Sequence, residues 1–85
     1  NYPNPFNLTT TISYQLPQYD EVELLVFNIS GQLITTLVNK KQAAGTYQVQ
    51  WNGRDNRGLK VPYGVYFYHL ITGSLISTKK MMLLR

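Results

Sequence analysis

The stretch AAGTYQVQWNGRDNRG, residues 43–58, decides how the rest of the chain is read. Tyr47, Val49 and Trp51 alternate with Gln48 and Gln50, and a period of two places apolar and polar side chains on opposite faces of a strand. Gly45 stands before the alternation, and Asn52, Gly53, Asp55 and Gly58 follow it. Glycine admits positive φ, while Asn and Asp hydrogen-bond their own backbone, so both ends are turns. Residues 46–51 are therefore a short strand with one wet face.

The same pattern recurs upstream, where Ile12, Tyr14 and Leu16 enclose Ser13 and Gln15, and Val22, Leu24 and Val26 follow Glu21 and Glu23. Pro17, NISG at 28–31, VPYG at 61–64 and TGS at 72–74 punctuate the chain with turn chemistry. The expected strands cover residues 10–16, 21–28, 33–38, 46–51, 65–71 and 74–84, the last either whole or broken in two. Residues 40–44 are too few for a stable helix. Short strands at this spacing predict an all-β, immunoglobulin-like antiparallel β-sandwich of about seven strands. Residues 33–38 and 65–71 alternate poorly, and VYFYHLI is apolar on both faces. Packing against a neighbouring domain or partner would account for that surplus.

Eighty-five residues make one domain, and a chain of this size hides only about 60–65% of the surface its unfolded form exposes. Cysteine is absent, which excludes a disulfide framework and leaves packing and hydrogen bonds to hold the fold. The net charge of +4 is scattered over Arg54 and Arg57, Lys40 and Lys41, and Lys79 and Lys80. With no basic stripe along one element, these cations read as solvated loops, and no nucleic-acid partner is expected. No apolar run approaches the roughly 18 residues of a membrane span, so no membrane insertion is expected. The chain starts without Met or an export signal and reads as part of a longer protein, with Arg85 expected to be a natural C-terminus.

Catalytic groups are sparse. His69 is the lone histidine and lies in a strand, and the acidic residues are Asp20, Glu21, Glu23 and Asp55. Glu21 and Glu23 share the wet face of a regular strand and read as a solvated edge rather than as a general acid and base. Asp55, Asn56 and Gly58, with Asn52 nearby, offer oxygens in a loop, but calcium asks for several carboxylates, and a hairpin turn explains them better. The expectation is a non-enzyme without cofactor or metal. The sequons Asn7-Leu8-Thr9 and Asn28-Ile29-Ser30 read as chance in an Asn- and Thr-rich chain. A sugar-stacking role for Trp51 is an alternative, although its phase with Tyr47 and Val49 turns it inward.

Taken together, NYPNPFN, VFNISGQLITTL, AAGTYQVQWNGRDNRG, VPYGVYFYHL and TKKMMLLR resemble, in order and spacing, the type A C-terminal sorting domain of the type IX secretion system of Bacteroidetes. That resemblance implies an immunoglobulin-like sandwich filling residues 1–85, with an extended entry segment at 1–9 and the sandwich at 10–85. It also implies a non-catalytic address that directs its parent protein across the outer membrane, through the periplasm to the cell surface or beyond. The implied partners are the translocon and shuttle components, a sortase-like cell-surface peptidase that removes the domain, and an upstream cargo domain.

Carried over by position, the family's elements fall on Gly45 and Tyr47, on Pro62, Gly64 and Tyr66, and on Lys80, Met81, Met82, Leu83, Leu84 and Arg85. Leu8, Tyr63 and His69 depart from the family's usual residues. The apolar last strand, residues 74–85, is the expected recognition surface because a terminal strand offers unpaired backbone groups; alternatively, it only completes the sandwich. VFNISGQLITTL, WNGRDNRG and GVYFYHL also resemble the immunoglobulin-like domain of flagellar hook-capping proteins, which implies a module for filament assembly. Pro3 and Pro5 fix their own φ and extend Tyr2 and Asn4, so the opening is expected to be a straight strut at a domain boundary.

Overall fold

A computed structural model of the chain describes residues 10–73 and 75–83. The strands are β1 (Thr10–Leu16), β2 (Asp20–Asn28), β3 (Leu33–Gln42), β4 (Gly45–Trp51), β5 (Gly64–Ile71) and β6 (Ile76–Leu83). β1 pairs with β4, and the other strands form a second sheet in the order β3-β2-β5-β6. Every pairing is antiparallel. This is the expected all-β sandwich, with six strands among the described residues. The strut expected at residues 1–9, with Pro3 and Pro5, and the closing Leu84 and Arg85 lie outside the described residues.

Alternation becomes layering. Ile12, Tyr14 and Leu16 of β1 are buried while Thr11, Ser13 and Gln15 are exposed. They face Val22, Leu24 and Val26 of β2, joined in the core by Val38, Tyr66, Leu70, Met81 and Leu83 of the flanking strands. Each large aliphatic side chain removed from water contributes about 1.5–3 kcal/mol. Trp51, at 1% exposure, lies edge-on to Tyr66 with ring centroids 5.0 Å apart. Tyr14 and Tyr47 stack across the small sheet at 5.4 Å.

The poor alternation of β3 has a local cause. Against β2 the register skips Leu37 between the pairs Leu24↔Val38 and Leu25↔Thr36, and it skips Ile34 between Val26↔Thr35 and Phe27↔Leu33. Each skip is a bulge that turns the extra side chain out of phase, and both Ile34 and Leu37 pack onto the core. β3 also runs to Gln42 rather than stopping at residue 38 as expected. Asp20, Glu21 and Val22 continue β2 far enough to pair with Gln42, Lys41 and Lys40, so the polar run is an edge strand. β6 is a single strand beginning at Ile76.

β5 lies inside its sheet, between β2 and β6. Tyr66 and Leu70 are buried on its inner face, while Val65, Phe67, His69 and Ile71 are half-buried on its outer face. There they meet Leu25 and Phe27 of β2, and the Phe27 and His69 rings lie 4.5 Å apart. Lys40 and Lys41 stand on one edge strand and Lys79 and Lys80 on the other, where strongly hydrated charges discourage pairing with a further strand.

Candidate interaction surface

Two segments singled out in the sequence prove to be one device used twice. Gly45 and Gly64 each open a strand, with φ of 151° and 139°, values that glycine adopts far more readily than other residues. Two residues on, Tyr47 donates its hydroxyl to the Ala43 carbonyl and Tyr66 donates to the Pro62 carbonyl, both at 2.6 Å. A tyrosine bonded back to the backbone four residues upstream clamps the turn that precedes its strand. Burial raises the phenol pKa of Tyr66. It also raises that of Tyr14, where a hydrogen bond to Gln42 partly offsets the effect.

The connection between β4 and β5 is held more firmly than its glycines suggest. Asp55 accepts the Arg57 and Leu59 N–H groups through Oδ1, and its own N–H donates to the Leu59 carbonyl. The Leu59 N–H and then the Arg57 side chain hold its carboxyl below the usual carboxylate range. Asn56 crosses to β3, donating its N–H to the Ile34 carbonyl and accepting Thr35 Oγ1 and the Thr36 N–H. Trp51 Nε1 donates to the Arg54 carbonyl. Gly53 takes φ of 75°, and a Cβ there would lie 3.1 Å from the buried Leu83 side chain.

This loop shares one end of the sandwich with the β2–β3 turn, the start of β1 and the finish of β6. Thr10 Oγ1 donates to the Met82 carbonyl at 3.4 Å. The β2–β3 turn is fixed by Asn28, whose Oδ1 accepts the Ser30 and Gln32 N–H groups. An open groove of about 430 Å³ runs between the two connections, lined by Ile29, Ile34, Val61, Pro62, Tyr63 and Tyr66 among others. Ile29, Leu33, Leu59, Tyr63 and Met82 are exposed at this end, and Arg54, Arg57 and Lys60 rise from its longer loop. Asp20, Glu21 and Glu23 lie at the opposite end, beside Lys40 and Lys41.

The carried-over residues are thereby placed. Gly45, Tyr47, Pro62, Gly64 and Tyr66 build the two tyrosine clamps, which lie on different sheets. Met81 and Leu83 point into the core, whereas Lys80 and Met82 are exposed on the outer face; Leu84 and Arg85 are outside the described residues. The oxygens weighed for calcium do not converge. Those of Asp55 serve its own turn and Arg57, that of Asn56 serves β3, and Asn52 Oδ1 accepts the Arg54 N–H. Trp51 is interior, so its ring offers no platform to a sugar. His69 contacts Phe27 on the outer face. Sequence reasoning missed Leu59 and Lys60, which the turn brings beside Arg54 and Arg57; the signal was the DNRG turn, which folds the loop back on itself.

Among families of known proteins, the FlgD Ig-like domain matches residues 6–71 of the chain. No curated protein and no solved structure matches it. The family match overturns the sorting-domain resemblance and the export function inferred from it. In the fold, the middle segments that carried the resemblance form an Asx-capped turn, tyrosine clamps and a hydrogen-bonded loop, which hold the sandwich itself together. The closing segment, residues 78–85, lies beyond the match.

Proposed function

The chain belongs to the FlgD Ig-like domain family, and from that premise we propose that it is a non-catalytic assembly module of a flagellar hook-capping protein. The observation that carries this reading is the family match over residues 6–71, which takes in β1 through β5. The chemistry agrees with it, because the acidic and amide groups of the β4–β5 loop are spent on internal hydrogen bonds. What the fold presents outward is shape, apolar side chains and charge at the end where the β2–β3 turn and the β4–β5 loop meet. Such a surface suits docking rather than turnover.

The test is made in the parent protein. Removing residues 10–83 and imaging hooks by electron microscopy, with the parent's abundance checked by blotting, should show missing or malformed hooks at normal protein levels. Normal hooks and swimming would refute the reading.

A further inference from the structure

The tip of the β4–β5 loop, residues 52–60, turns its hydrogen-bonding groups inward and its charges outward. Asn56 fastens it to β3, Trp51 to the Arg54 carbonyl and the Asp55 turn to itself. Arg54 and Lys60 face one another across an isolated bridge, a like-charge pairing that opposes folding. The Arg54 guanidinium turns to the Gly58 carbonyl. Arg57 pairs with Asp55 at 3.0 Å yet remains 76% exposed, with guanidinium donors to spare. Between these cations Leu59 stands 53% exposed. A fixed backbone that displays one aliphatic side chain within a cationic rim offers a small apolar contact ringed by charge, and its rigidity lowers the ordering cost of binding.

We propose that this tip docks onto an acidic protein surface containing an apolar socket, with Leu59 as the anchor and Arg54, Arg57 and Lys60 as the rim. Leu59 decides between kinds of partner. A phosphate backbone would gain nothing from it, and residues 52–60 carry no aromatic ring on which a base could stack. An acidic socket uses both the anchor and the rim. The inference rests on the assembly reading and gives that module its partner chemistry.

The test titrates the full chain with three fluorescent probes: a peptide of alternating Glu and Leu, poly-L-glutamate, and a short DNA duplex. The peptide should bind most tightly, and Leu59→Ala should weaken it about tenfold, as expected for losing part of one buried aliphatic side chain. Leu59→Met should largely restore binding. Lys60→Ala and Arg57→Ala should weaken binding and flatten its salt dependence. Unchanged melting of Leu59→Ala and Lys60→Ala excludes misfolding as the cause. Tighter binding to the duplex, indifference to Leu59→Ala, or no peptide binding up to about 1 mM would each overturn the proposal. None of those outcomes touches the hook phenotype of the domain deletion, so the two readings fail separately.

Discussion

Replacing Tyr66 by Phe removes one atom from the structure and tests whether the tyrosine clamp holds the β4–β5 connection. The hydroxyl donates to the Pro62 carbonyl at 2.6 Å, and the ring is 5% exposed. Such a bond contributes about 1 kcal/mol net, and because Pro62 is exposed its carbonyl can turn to water rather than stay orphaned. The expected loss is therefore about 1 kcal/mol, or roughly 4–8 °C in melting temperature for a domain of this size. Tyr47→Phe should cost about half as much, since its clamp sits among exposed residues. Gly64→Ala supplies the cross-check: nothing lies within 4 Å of the added Cβ, yet φ is +139°, so its cost of about 1–3 kcal/mol is purely conformational. If Gly64 serves to bring the Pro62 carbonyl to the hydroxyl, Tyr66→Phe should add little in the Gly64→Ala background, a coupling of about 0.5–1 kcal/mol. Urea titration followed by Trp51 fluorescence measures all of these. A loss below about 0.3 kcal/mol for Tyr66→Phe, strict additivity of the pair, or a larger effect at Tyr47 would refute the argument.

Leu83→Ala should be the most damaging truncation on β6, at about 3–4 kcal/mol, because Leu83 is 0% exposed; faster amide exchange at Asn56 would show that the loop loosens with it. Lys79→Val combined with Lys80→Val should leave melting nearly unchanged but produce larger species in size-exclusion chromatography, since β6 would lose the charges that blunt its edge. Stability should fall as pH rises past about 10, as seen by denaturation at stepped pH. Tyr14 and Tyr66 hold their protons longer when folded than when unfolded, so the folded state binds more protons in that range and loses ground as they leave. Asp55, shifted the other way, supports the fold above the ordinary carboxylate range and ceases to as pH falls through its lowered value.

Most of the strand pattern was legible because one wet face leaves a period of two, as in β1 and the middle of β2. β3 was legible only in part. Its bulges break the period at Ile34 and Leu37, and residues 39–42 carry edge-strand polarity that resembles a loop. The partition into sheets leaves no local trace, since β1 and β2 alternate alike yet lie in different layers. The family resemblance marked Gly45 and Tyr47, and Gly64 and Tyr66, as special without revealing the bond from each hydroxyl to a carbonyl four residues back. The sorting-domain resemblance was preferred to the hook-capping one, which the family match bears out, for the same reason. Motifs that encode turns and clamps testify to the sandwich they hold together and not to the task it serves. The docking tip was hidden because Leu59 and Lys60 become neighbours of Arg54 only through the Asp55 turn.

The contact between Thr10 and Met82 bears on how the module carries mechanical load. Tension applied at those two points draws β6 sideways from β5, so their ladder opens like a zipper from the Gly64↔Leu83 pair towards Ile71↔Ile76. The first side chain to leave is then Leu83, which sits against Gly53 beneath the charged loop. A pull on the end of β6 would therefore begin to open the core at the point where it meets the charged loop.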